Sequence, residues 1–175
     1  MPKTLKFIGP YSFSNCAILE NIDIDGNNKM PDTIEFIGDK AFSSVNVLGS
    51  GGNSNISNLP TEKLRLNELP KNLKFIGAYA FYMFNTRMVA SNTNIVITSI
   101  PENLKLIPSW CFNKLPNVSI SEFGSPANNL EVIGSGAFVN CGGNLPQITI
   151  NEPIIILARA SINGTTLGAF SGYAP

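Results

Sequence analysis

A nine-residue phrase recurs along this chain and constrains its fold more than any other property. The phrase Leu5-Lys6-Phe7-Ile8-Gly9-Pro10-Tyr11-Ser12-Phe13 returns over residues 34–42, 73–81, 104–112 and 130–138. A sixth, degenerate copy reads over residues 154–162, with Ala158 for the glycine and Ile162 for the phenylalanine. The phrase ends at positions 13, 42, 81, 112, 138 and 162, so successive spacings are 29, 39, 31, 26 and 24. Repetition at such periods marks a stacked array, in which no unit buries its apolar side alone but neighbours together make one core.

Other features ride on the same frame. Three residues beyond each phenylalanine stands an apolar side chain: Cys16, Val45, Phe84, Leu115 and Cys141. Farther on come alternating segments, Ile22-Asp23-Ile24, Leu64-Arg65-Leu66, Ile95-Val96-Ile97, Val118-Ser119-Ile120 and Ile148-Thr149-Ile150. The pattern predicts short strands with the middle side chain facing water. Pro2, Pro31, Pro70, Pro101, Pro126 and Pro153 precede the phrases. A proline fixes φ and donates no hydrogen bond, so it ends one strand and turns the corner. The Gly-x-x-Ala-Phe portion reads as a tight turn or a single helical turn, its glycine admitting a conformation closed to other residues.

These features predict one domain over residues 1–175, with coils beginning near 2, 31, 70, 101, 127 and 153. The expected fold class is a repeat solenoid of about six coils, built mostly of short parallel β-strands. Charged residues are only 14% of the chain, and Asn, Ser, Gly and Pro carry the polar surface; these are turn formers.

The recurring L-x-x-I-G-x-x-A-F-x-x-C, followed by a strand and a proline, resembles the BspA-like class of leucine-rich repeats. The first and fifth copies carry the likeness through Cys16 and Cys141. The resemblance implies a right-handed, slightly curved solenoid with a parallel sheet on one side. It also implies a non-catalytic adhesion or protein-interaction module of a surface protein. Some members of the class are parts of viruses or larger assemblies, which gives a second reading as a structural subunit. Two departures stand out: the family repeat is usually shorter and more even than these coils, and neither end of the chain reads as capped.

Twelve basic and twelve acidic residues cancel, so no field steers the chain to nucleic acid or an anionic membrane. Histidine is absent, which removes His-based triads and nearly every common catalytic zinc site. No phosphate loop, paired acids or EF-hand spacing appears. The expectation is no enzyme, no cofactor and no metal. Cys16, Cys111 and Cys141 read as buried thiols that act as small apolar residues, and Cys16 and Cys141, four coils apart, lie beyond disulfide reach. No apolar run is long enough to span a bilayer and the start does not read as a signal peptide. The expected location is extracellular, cell-surface or virion-associated.

The candidate contacts for a protein partner (host, matrix or assembly subunit) or a glycan are three. The outward strand residues Asp23, Arg65, Val96, Ser119 and Thr149 form a ladder, though one poor in the Tyr, Trp and Arg of interface hot spots. Asp23 with Arg65 reads equally as a surface ion pair. Long insertions emerge between phrase and strand, and in the third coil Arg87, Met88 and Val89 suggest a contact. Trp110 offers an aromatic face for a sugar or protein, with packing the preferred reading. Open strand edges at the ends invite self-association.

Overall fold

The computed structural model describes residues 1–16, 29–45, 68–83, 97–115, 120, 122–124, 126–139, 141, 149–151 and 153–156. Six of its eight short strands come from the recurring phrase: β1 (Phe7–Ile8), β2 (Phe36–Ile37), β3 (Phe75–Ile76), β4 (Leu106–Ile107), β6 (Val132–Ile133) and β8 (Ile155–Ile156). The remaining two are β5 (Glu122–Phe123) and β7 (Thr149–Ile150). Every pairing is parallel, in the sheets β1-β2-β3, β4-β6-β8 and β5-β7. Phe7 faces Phe36 and Phe36 faces Phe75, so identical phrase positions lie side by side.

This register builds the core in columns. Ile8, Ile37, Ile76, Ile107 and Ile133 form one; Ile34, Leu73, Leu104 and Leu130 form another. Between them the rings of Phe13, Phe42, Phe81, Phe112 and Phe138 stack at centroid distances of 5.0, 5.2, 5.8 and 5.4 Å. Ala41, Ala80, Cys111 and Ala137 leave room beside them and are fully buried. A further column was not foreseen. Met30, Leu69 and Ile100, each immediately before a turn proline, are also buried.

The prolines open β-turns. The amides of Leu5, Ile34, Leu73 and Leu104 donate to the carbonyls of Pro2, Pro31, Pro70 and Pro101 at 3.0–3.1 Å. The fifth copy departs from this, because Pro126 stands one residue farther from its phrase. There the Leu130 amide donates instead to Oδ1 of buried Asn128, at 3.3 Å, and that oxygen also takes the Gly124 amide.

Four expectations need correcting. First, of the tight turn and the helical turn expected for the Gly-x-x-Ala-Phe portion, the tight turn is the one formed; among the described residues no helix occurs. It is a run of turns in which alternate amides bond within and between repeats. Ser12 and Ser14 donate to Gly9 and Tyr11, whereas Tyr11, Phe13 and Asn15 donate to Asp39, Ala41 and Ser43 of the next copy. Second, the phrase glycine serves space and not dihedral freedom. A Cβ on Gly38 would sit inside the backbone of Pro10, one on Gly77 inside that of Asp39, and one on Gly134 inside that of Ser109.

Third, the sixth copy is shifted by one residue. Val132 pairs with Ile155, so Ile155 and not Ile156 holds the place of Phe7, and Pro153 falls at the phrase's first position. The cause is a short corner. Phe123 to Val132 is nine residues (132 − 123), while Ile150 to Ile155 is five (155 − 150). Fourth, the strand that pairs with Thr149–Ile150 is Glu122–Phe123, whereas Ile120 is buried but lies in no strand. Phe123 is fully buried, so it anchors that pairing in the core.

Candidate functional site

Most of the sequence-derived contact residues, Asp23, Arg65, Arg87, Met88, Val89, Val96 and Ser119, lie outside the described residues. Thr149 is placed by its backbone in β7, and the residue beside it in register is Glu122. Trp110 is half-buried.

Two rows of side chains on the outside of the described residues merit a functional reading. The first is set by strand alternation. Ile8, Ile37, Ile76, Ile107 and Ile133 are buried, so the residue before each points out, and Ile155 holds the same register. Those residues are Phe7, Phe36, Phe75, Leu106, Val132 and Ile155. Phe7 is 56% exposed, Phe75 41%, Leu106 41% and Ile155 60%. In-register parallel pairing lays the rings flat on one another. Phe7 to Phe36 is 4.4 Å with planes 10° apart, and Phe36 to Phe75 is 4.5 Å at 7°. Beside this apolar row runs a charged one. Lys6 and Lys74 flank Glu35 at 3.2 and 2.7 Å, and Lys105 meets Glu131 at 2.6 Å. The Lys74 hydrogen bond, then that of Lys6, holds the Glu35 carboxyl below its ordinary value.

The second row lies on the turns. Tyr11, Lys40, Tyr79 and Trp110 occupy one phrase position, each with φ between +53° and +60°. Left-handed backbone costs an L-residue roughly 1 kcal/mol. Here each such amide donates to the following copy (Tyr11 to Asp39, Lys40 to Ala78, Tyr79 to Ser109, Trp110 to Ser135), which offsets that cost. The side chains therefore stack as a column. The Lys40 ammonium lies 5.4 Å from the Tyr11 ring and 5.5 Å from the Tyr79 ring, and Tyr79 stacks on Trp110 at 6.3 Å. Beyond Trp110 the position becomes Gly136, φ +69°, where a Cβ would press on the indole at 3.0 Å. Trp110 thus packs over glycine on one side and tyrosine on the other.

Neither row carries catalytic machinery. Among the described residues no group of three or more His, Cys, Asp or Glu gathers as a metal site. Cys111 is buried and its thiol pushed up by desolvation, which leaves it a poor nucleophile. Cys141 is buried with its Sγ 2.8 Å from the Phe112 carbonyl, whereas Cys16 is half-exposed; none of the three forms a disulfide. No helix among the described residues is long and apolar enough to cross a membrane.

The outward phenylalanines carried a legible signal that sequence reading missed. They stand at an unassigned position of Leu-x-x-Ile, directly before the inward isoleucine, where strand alternation turns a side chain outward.

Searches of curated proteins and of solved structures returned no match. The profile of the BspA type leucine-rich repeat region does match, in six copies, over residues 1–90 and 61–168. Repeats of this class generally mediate protein interaction or adhesion and are typically non-catalytic. The in-register parallel strands and the family match agree: the chain belongs to the BspA-type leucine-rich repeat family.

Proposed function

We propose that the chain is a non-catalytic interaction or adhesion module of a surface-exposed protein, its copies stacked as one right-handed solenoid of about six coils. The outward apolar row carries this reading. Monomeric soluble proteins seldom leave a contiguous run of large apolar side chains in water, and aromatics are the residues on which interface affinity concentrates. Phe7, Phe36, Phe75 and Leu106, bordered by the Lys6–Glu35–Lys74 charges, have the anatomy of an apolar contact with a polar rim. A protein surface of the host or matrix is the partner this suits. The Asp23-to-Thr149 ladder and the Arg87–Met88–Val89 insertion belong to the same reading as a second contact region.

The test is adhesion of the purified chain to immobilised host and matrix proteins. It is compared with a variant carrying Phe7→Ser, Phe75→Ser and Leu106→Ser, all exposed positions. Loss of three anchors of about 1.4 kcal/mol each would weaken adhesion by roughly a thousandfold. Undiminished adhesion by a folded variant removes the row from the interface.

The alternative, a subunit docking through its repeat ends, has one observation in favour. Leu5, Phe13 and Cys16 are half-buried where Ile34, Phe42 and Val45, their counterparts in the next copy, are fully buried. Light scattering over a concentration range separates the two, since growth in mass with concentration favours end-to-end docking.

A further inference from the structure

Three successive copies leave a cleft of about 400 Å³ on the turn side, lined by Tyr11, Ser14, Asn15, Lys40, Ser43, Tyr79 and Tyr82. Its size falls within the range of small-ligand sites, roughly 300–1,000 Å³. The cleft exists because the middle copy is small where its neighbour is large. Ser43, only 8% exposed, holds the phrase position that Tyr82 holds in the third copy. Tyr79 and Tyr82 meet edge to face at 5.5 Å, and Tyr11, 58% exposed, stands on the side of the first copy.

The chemistry of the lining restricts the occupant. All seven backbone amides are already bonded: Tyr11, Asn15, Lys40 and Tyr79 donate to the next copy, and Ser14, Ser43 and Tyr82 donate within their own turns. No free backbone ladder is left to receive an extended peptide, so recognition falls to side chains. Those are hydroxyls of two serines and three tyrosines, the Asn15 carboxamide and one ammonium. No carboxylate lines the cleft. The Lys40 ammonium rests between two ring faces and makes no ion pair among the described residues. It occupies the place a cationic ligand would need, and it attracts an anion. A single ammonium without arginine or free amides matches the one charge of a carboxylate better than a phosphate, which calls for several converging donors. Hydroxyl-rich walls with flat aromatic faces, open to water, suit a polyhydroxylated ring.

We propose that this cleft binds an acidic saccharide, with the sugar's carboxylate on Lys40 and its ring against Tyr82. The proposal rests on the reading of the chain as a binding module and names a ligand class for it. Both uronic and sialic acids carry the required carboxylate, and the test separates them.

The ¹⁵N-labelled chain is titrated with D-glucuronic acid and with N-acetylneuraminic acid, each beside a neutral control, D-glucose and N-acetylmannosamine. The expected result is saturable shifts at Tyr11, Lys40, Ser43 and Tyr79 with at least one acid. The neutral sugars should bind about tenfold more weakly, the loss of one charge-assisted hydrogen bond. Whichever acid saturates at lower concentration identifies the source. Lys40→Met keeps the alkyl stem and should erase the preference for acid over neutral sugar, while Lys40→Arg should retain it. Tyr82→Ala should weaken acid and neutral sugars alike. Absence of saturable shifts with both acids, or an undiminished preference in Lys40→Met, overturns the proposal. A chain that still adheres to protein partners in that event loses only this ligand and keeps the adhesion reading.

Discussion

Gly9 and Gly38 hold the same place in successive copies of the phrase, yet alanine should act on them with opposite sign. Neither has the positive φ that forbids a side chain. A Cβ on Gly9 meets nothing nearer than Ser12 Oγ at 3.4 Å, an ordinary contact. Alanine there only restricts the unfolded chain, a gain of about 0.4–1 kcal/mol. On Gly38 the same Cβ would occupy the backbone of Pro10, so the first two copies must separate. Separation stretches the bonds that flank the contact, Gly38 N to Ile8 O at 2.8 Å and Tyr11 N to Asp39 O at 3.0 Å. Two such bonds at roughly 0.5–1.5 kcal/mol each, with disturbed packing, give a loss of about 2–3 kcal/mol. The two alanines therefore differ by about 3 kcal/mol. At a urea slope near 2 kcal/mol per M, their unfolding midpoints separate by about 1.5 M. Urea titration followed by far-UV circular dichroism measures this. Equal destabilisation of both variants would refute the steric argument and restore a conformational role for the glycine.

The two phenylalanine columns give a second contrast. Phe81→Ala opens a fully buried site between Phe42 and Phe112 and should cost about 3–5 kcal/mol, whereas Phe7→Ala, more than half exposed, should cost about 1 kcal/mol in thermal or urea unfolding. Comparable losses would mean the outward row is structural. A third expectation concerns acid. The Glu35 carboxyl is depressed by the Lys74 and Lys6 hydrogen bonds, so the folded state binds that proton less readily than the unfolded chain. Its contribution is present above the unfolded carboxyl value, about 4.3, and is lost as pH falls through the lower folded value. Glu35→Gln should flatten that part of the stability profile, and high salt should do the same because the pair stands in water; an unchanged slope below pH 4.3 in the variant would exclude Glu35 as its source.

The repeat and its core were legible because a periodic phrase in register must stack like on like. Phe13, Phe42, Phe81, Phe112 and Phe138 could be assigned to one column from spacing alone. Three things were not legible, each for a physical reason. The glycine's role depends on the neighbouring copy's backbone, and no residue within the copy reports that distance. The one-residue shift at Ile155 depends on corner length, and an unbroken Ile154-Ile155-Ile156-Leu157 run fits two registers equally well. The cleft arises from a difference between copies, Ser43 beside Tyr82, and consensus reading suppresses such differences. The candidate site was accordingly least visible where the repeats are most alike in outline and most unlike in one side chain.

The departures from consensus also mark where the array divides. Gly38, Gly77 and Gly134 donate their amides to Ile8, Ile37 and Ile107 of the preceding copy at 2.8, 2.8 and 2.7 Å. In the fourth copy this residue is Pro108, which has no N–H to donate and carries a Cβ where the backbones would close. The strands divide into separate sheets at that junction, β1-β2-β3 on one side and β4-β6-β8 on the other. The charges repeat the pattern. Lys6–Glu35–Lys74 alternate up to the junction and Lys105–Glu131 alternate beyond it, but Lys74 and Lys105 take the same phrase position on its two sides. Meanwhile the turn side stays bonded across it, Phe81 N to Cys111 O and Met83 N to Asn113 O both at 2.9 Å. Stability in a repeat array is close to a sum of unit and nearest-neighbour terms. Losing strand bonds and charge complementarity at one interface therefore weakens that interface alone. The cleft takes its lining from the first three copies, yet Tyr79 is held across the junction by its amide to Ser109 and its stacking on Trp110, so its geometry rests on the turn-side contacts that this interface keeps.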